Sequence, residues 1–208
     1  MQISNYEITR NKMRTEFLNY PQDKMIRKFH LENNEDYIYI EFLRRSYRIG
    51  RKTGIIEWSD DGFKTVNEAE FNDSMTIYDI LCYSKENCSL SGKFCSVNLL
   101  KGILQTGGPT GNLFQSSAEA FKGKTDELRN ACSILGDPAK LSGDISALIY
   151  AFPFLPIIIQ YWEEDDEFPA SLKFMFDENI LQYMHYETVF YLMGSAIHRL
   201  KELSQHVQ

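Results

Sequence analysis

The stretches ISALIY (Ile145–Tyr150), PIIIQYW (Pro156–Trp162) and ASLKFMF (Ala170–Phe176) decide the fold class. Each is short, rich in Ile, Tyr and Phe, and bounded by turn residues, which is how strands read. The acidic run Glu163-Glu164-Asp165-Asp166-Glu167 closes the last two into a hairpin. On the C-terminal side, Asp177 can cap a short turn holding Ile180, Leu181 and Met184. Val189, Met193, Ile197, Leu200 and Leu203 then recur at helical spacing. On the N-terminal side, Thr125 is read as the cap of a helix with Asp126 and Glu127 in its first turn, an apolar face of Leu128, Ala131, Cys132 and Leu135, and Gly136 as its stop.

A second β region lies earlier in the chain. Ile38, Ile40 and Phe42 alternate with Tyr37, Tyr39 and Glu41, a period of two. Ser46–Ile49 and Ile55–Trp58 read as further strands, and Ser59-Asp60-Asp61-Gly62 as a turn. Ahead of them, Tyr6, Met13, Phe17 and Tyr20 mark a helix that Pro21 ends. Pro21 then opens a second helix carrying Met25, Ile26 and Phe29. Ser74 is read as the cap of a helix with Ile77, Ile80 and Leu81 on its apolar face. The expectation is an α+β chain forming a single domain over residues 1–208, with one antiparallel meander sheet of about six strands covered by helices.

The chain has 208 residues, 43% hydrophobic and 25% charged, with net charge −7. That composition supports a sizeable core and argues against a general nucleic-acid role. The N-terminus lacks the layout of a signal peptide, and no apolar run approaches the roughly 20 residues of a membrane helix. A cytoplasmic protein with no membrane partner is expected, and its four cysteines are expected as reduced thiols.

Four clusters carry candidate chemistry. Cys82, Cys88 and Cys95 are spaced C-x5-C-x6-C, which matches no standard metal loop; they are metal candidates of low weight, and Cys82 reads better as a small buried hydrophobe. Thr106–Asn112 is glycine-rich, yet Gly111 is followed by Asn112 and Leu113 rather than Lys and Ser/Thr, which excludes a nucleotide P-loop. The acidic run lacks the alternation and the bend glycine of a calcium loop and reads as a solvated hairpin tip. Arg44, Arg45, Arg48, Arg51 and Lys52 form a basic cluster in an acidic chain, and Arg44 and Arg48 are candidates for holding an anion. The histidines His30, His185, His198 and His206 form no close ligand pair, and no nucleophile elbow is present. No cofactor is called for.

Gly143-Asp144, Leu155-Pro156, Trp162, Asp166-Glu167-Phe168-Pro169, Ser171 and Phe176-Asp177 together resemble an uncharacterised domain-of-unknown-function family of bacteria and archaea, frequent in anaerobes. The resemblance is close over about a third of the chain. It implies no established activity. Some members carry a cysteine-rich iron–sulfur module, which this chain lacks. The shared residues also read structurally: Asp177 as a cap, Pro169 as a strand start, Phe168 and Trp162 as hairpin packing.

Two functions are expected from this reading. One is a domain in anaerobic metabolism that binds a small molecule or a protein, with Asp144, Trp162, Asp166, Glu167, Asp177, Arg44 and Arg48 as binding candidates. The other is an enzyme whose carboxylates Asp144, Asp166, Glu167 and Asp177 converge in one pocket for acid–base or metal-assisted work. A homo-oligomer is compatible with an exposed sheet edge.

Overall fold

The computed structural model describes residues 4–100 and 115–205. These divide into two compact units, Met1–Cys88 with Gln182–Leu192, and Ser89–Leu181 with Met193–Gln208. The class is α+β, with six helices and nine strands among the described residues.

The first unit opens with helix α1 (Asn5–Asn19), capped by Ser4, whose hydroxyl accepts the Glu7 N–H. Met13 and Phe17 are its buried residues. Pro21 stands at the N-cap of α2 (Gln22–Phe29), which ends in a left-handed His30. Strands β1 (Tyr37–Phe42), β2 (Arg45–Gly50), β3 (Ile56–Ser59) and β4 (Asn67–Glu68) form an antiparallel sheet in chain order. Ile38, Ile40 and Phe42 are buried, as the period of two requires. Leu43 and Arg44 both have positive φ, so the β1–β2 hairpin turns through two residues that L side chains fill reluctantly.

Helix α3 (Phe71–Tyr83) packs against α1. Every residue from Asp73 to Cys82 is buried, so α3 is a core helix without a solvent face. Its N-cap is Glu70, not Ser74. Ser74 lies inside the first turn, where its hydroxyl donates to the Ala69 carbonyl. Asp73 accepts the Tyr47 hydroxyl at 2.7 Å, a buried polar contact between α3 and β2.

The second unit holds a separate five-stranded sheet, ordered β5-β9-β8-β7-β6. The strands are β5 (Phe94–Ser96), β6 (Gly136–Pro138), β7 (Ile145–Phe152), β8 (Leu155–Trp162) and β9 (Ser171–Asp177). Helices α4 (Gln115–Glu119) and α5 (Thr125–Leu135) belong to this unit, and α5 packs on β6 and β7. The N-cap of α5 is Lys124; the Thr125 hydroxyl is directed to Glu163 instead. At Gly136 the chain passes from α5 straight into β6, and an added Cβ would meet the Leu148 carbonyl oxygen at 2.1 Å. Only glycine fits that approach. Helix α6 (Tyr186–Gln205) contributes its first seven residues to the first unit and the rest to the second.

The two β regions therefore do not merge into one sheet of about six strands. The three C-terminal strands recruit β5 and β6, each three residues long, and the early meander gains the two-residue β4. Such short strands carry no period for a sequence to display.

Candidate functional site

Of the four carboxylates expected to converge, Asp177 stands apart from the other three. Asp177 is the last residue of β9, fully buried, and accepts the backbone N–H groups of Ser91, Gly92 and Asn179 at 3.0, 2.7 and 2.8 Å. Asp166 and Glu167 lie beyond the other end of the seven-residue β9, exposed in the β8–β9 connection. At about 3.3 Å per residue, the length of β9 alone separates them from Asp177 by roughly 20 Å. Their carboxylates make no hydrogen bond or ion pair among the described residues. The residue that shapes this connection is Asp165, which accepts the N–H groups of Glu167 and Phe168 at 2.9 and 2.7 Å.

Asp144 braces the start of β7 to the end of β8. Its N–H donates to the Tyr161 carbonyl at 2.9 Å, and its carboxylate accepts the Glu163 N–H at 2.8 Å. Gly143 before it has φ +118°, and an added Cβ would press on the carbonyls of Tyr161 and Ile145 and reach the half-buried Trp162 ring at 3.5 Å. The Gly-Asp pair and Trp162 are thus explained by how this strand pair closes. Phe168 does not pack the hairpin; it is 65% exposed.

Glu163, which the sequence reading placed only in the solvated acidic run, is the best-held carboxylate of this end. It accepts from the Thr125 hydroxyl at 2.8 Å, the Gly123 N–H at 3.0 Å and the Tyr161 hydroxyl at 3.3 Å. Burial alone would raise its pKa; these hydrogen bonds outweigh it and hold the carboxyl below its ordinary range. Glu164 pairs with Lys122.

The basic cluster is neutralised residue by residue. Arg44 pairs with Glu41, Arg45 with Asp60, Arg48 with Glu57, Arg51 with Asp23 and Lys52 with Asp36. Arg45 also stacks over Trp58 at 3.8 Å, and Arg48 over Tyr37 at 4.2 Å. Arg48 therefore makes a cross-strand contact between β2 and β3, while Arg44 pairs within the β1–β2 hairpin. The cysteine trio is split: Cys82 and Cys88 belong to the first unit, Cys95 to the second. None of the four cysteines is in a disulfide. Cys82 is buried, and burial, with Asp79 and Glu16 nearby, pushes its thiol up to about 12. Among the described residues, no group of three or more His, Cys, Asp and Glu side chains is placed to hold a metal ion. The glycine-rich segment Thr106–Asn112 lies outside the described residues.

The first unit contains a concavity that the sequence did not announce. It has a volume of about 580 Å³ and is lined from α2, α3 and their flanks, with Tyr20, Lys24, Arg27, Leu81 and Cys82 among its residues. That volume lies within the range of small-molecule sites. Met25 and Leu81 give it an apolar floor. Lys28 also lines it, with its ammonium occupied by three acceptors, Ser84 O at 2.9 Å, Ser84 Oγ at 2.6 Å and Lys85 O at 2.6 Å. This lysine closes the C-terminal end of α3, where a cation suits the dipole. Lys24 and Arg27, one helical turn apart, make no ion pair among the described residues. Among the described residues, Glu86 is the one carboxylate in the lining.

Beside this concavity lies an Asp–His pair. Asp79 is 4% exposed and accepts both the backbone N–H of His185 at 2.7 Å and its ring Nδ1 at 2.6 Å. The His185 ring packs edge-on against Tyr83 at 4.9 Å, and Tyr83 against Tyr20 at 5.6 Å. Two features of the sequence could have pointed here: a Lys24–Arg27–Lys28 stripe at helical spacing, and Asp79 inside the apolar stretch Ile77–Cys82.

Among the described residues no helix is long and apolar enough to cross a membrane. No curated protein matches the chain, and no solved structure does. A family model matches residues 23–199, most of the chain and all of the concavity's α2 and α3 walls except the start of α2, and so the protein belongs to the family described as Domain of unknown function (DUF3786).

Proposed function

We propose that this protein binds a small organic anion in the concavity between α2 and α3. One observation carries the reading: Lys24 and Arg27 line a cavity of ligand size with no ion-pair partner among the described residues, whereas the clustered cations Arg44 to Lys52 all have carboxylate partners. An apolar floor with a few convergent polar groups is the usual composition of a small-molecule site. Arg27 offers a planar fork and Lys24 a compact charge, which suits a carboxylate, sulfonate or phosphate. Met25, Leu81 and Tyr20 suit the apolar or aromatic body that carries it. We further read the protein as a cytoplasmic component of anaerobic bacterial or archaeal metabolism; four cysteines outside any disulfide suit a reducing compartment.

The test is titration with 8-anilinonaphthalene-1-sulfonate, an anion on an aromatic body, followed by fluorescence. Saturable binding to the native protein is expected. The Lys24→Ala, Arg27→Ala double variant should weaken it by about tenfold or more, equivalent to at least about 1.4 kcal/mol. An unchanged affinity in a folded double variant would remove the reading.

A further inference from the structure

The lining of the α2–α3 concavity holds charges of both signs. Lys24 and Arg27 come from α2, and Glu86 from the segment that follows α3. Among the described residues, none of these three side chains makes a hydrogen bond or an ion pair. The two cations and the carboxylate thus line one cavity without neutralising each other.

Lys28 does not supply the missing partner. Its ammonium has three N–H donors, and Ser84 O, Ser84 Oγ and Lys85 O take them. Those bonds tie α2 to the residues just before Glu86. The Lys85 N–H also donates to the Gln182 carbonyl at 2.7 Å, and the Cys88 N–H to the Lys85 carbonyl at 3.1 Å. The backbone that carries Glu86 is therefore held from both sides. A group on a backbone fixed in advance loses less freedom when it meets a ligand.

Glu86 discriminates between ligand classes. A simple anion on Lys24 and Arg27 would be repelled by a carboxylate in the same cavity. A molecule that also carries an ammonium turns that repulsion into a second contact, since an ammonium only donates hydrogen bonds and an ionised carboxylate only accepts them. Arg27 presents the planar fork that matches a carboxylate. Met25, Leu81 and the Tyr20 ring offer contact to an apolar or aromatic body.

We propose that the ligand of this concavity is a zwitterion, an amino acid or short peptide with an apolar or aromatic side chain, whose carboxylate meets Lys24 and Arg27 and whose ammonium meets Glu86. Glu86 is then the residue that sets specificity. The proposal rests on the binding reading above and narrows it.

The test is displacement of bound 8-anilinonaphthalene-1-sulfonate, followed by fluorescence. The competitors are L-phenylalanine, with both charges on one carbon, and L-alanyl-L-phenylalanine, with the charges further apart. Their N-acetyl derivatives keep only the carboxylate, and their amides keep only the ammonium. One of the two zwitterions should displace the probe at about tenfold lower concentration than either of its single-charge derivatives, equivalent to about 1.4 kcal/mol. Which zwitterion does so separates a free amino acid from a peptide. In Glu86→Gln that zwitterion should fall to the level of its N-acetyl derivative. The probe, an anion, should bind this variant a few-fold more tightly, because a repelling charge is gone. Glu86 is exposed, so the substitution leaves the core intact. If probe and zwitterion weaken together in Glu86→Gln, the residue acts on the structure and the proposal falls. If the probe binds through Lys24 and Arg27 but neither zwitterion outcompetes its N-acetyl derivative, the zwitterion class falls and the binding reading stands. If the probe does not bind at all, both fall.

Discussion

Asp177 and the pair Asp166–Glu167 belong to one sequence motif and sit in opposite surroundings. Asp177 is fully buried and satisfies three backbone N–H groups that fix residues 91–92 and the start of the following 3-10 turn. Removing it leaves donors without their acceptor, so Asp177→Ala should cost about 2–4 kcal/mol. Asp166→Ala and Glu167→Ala should stay within about 0.5 kcal/mol, because neither exposed carboxylate has a partner among the described residues. Denaturant unfolding of the three variants separates the cases. Equal effects at Asp166 and Asp177 would mean the hairpin carboxylates have a structural role after all. The Asp79–His185 pair differs again: there the carboxylate serves a side chain as well as a backbone group.

At the scale of elements, the β3–β4 connection shows how one side chain organises a loop. Asp61 accepts the N–H groups of Lys64 and Thr65 at 3.1 and 2.9 Å and the Ser59 hydroxyl at 2.7 Å. The Thr65 N–H, then the Ser59 hydroxyl, hold its carboxyl down at about 2. A carboxyl whose pKa is lower when folded contributes stability above its unfolded value of about 4, and that contribution is lost as pH falls through 2. Wild type should therefore melt above Asp61→Ala at neutral pH, and the two melting temperatures should converge between pH 4 and 2. A gap that persists at pH 2 would mean the loop does not depend on the carboxylate. In the same connection Phe63 has φ +65° and its ring receives Arg48 at 4.9 Å, so the loop delivers an aromatic ring onto the sheet.

At the scale of the whole molecule, charge pairing decides what the surface offers. The chain carries net charge −7, and the basic cluster of residues 44–52 is matched by Glu41, Asp60, Glu57, Asp23 and Asp36. Paired arginines release no counterions to a phosphate backbone. Electrophoretic mobility of duplex DNA should be unaffected by this protein even at low ionic strength; a shift that fades with added salt would show a basic face that the ion pairs do not suppress.

The sequence by itself determined the α+β class, because Ile38, Ile40 and Phe42 alternate and the three C-terminal runs are apolar between turn residues. It also determined the placement of α1, α2 and α6, where Pro21 and an i, i+4 stripe leave a local record. Only the tertiary structure decided that the β regions form two sheets, since strand pairing is a long-range choice and β4, β5 and β6 are too short to carry a period. It alone separated Asp177 from the acidic hairpin, by the length of β9, and paired Arg48 with Glu57 across strands. It alone brought His185 to Asp79, 106 residues earlier in the chain. Chemistry assembled from distant residues leaves no spacing in a sequence, because proximity there is set by packing and not by chain distance.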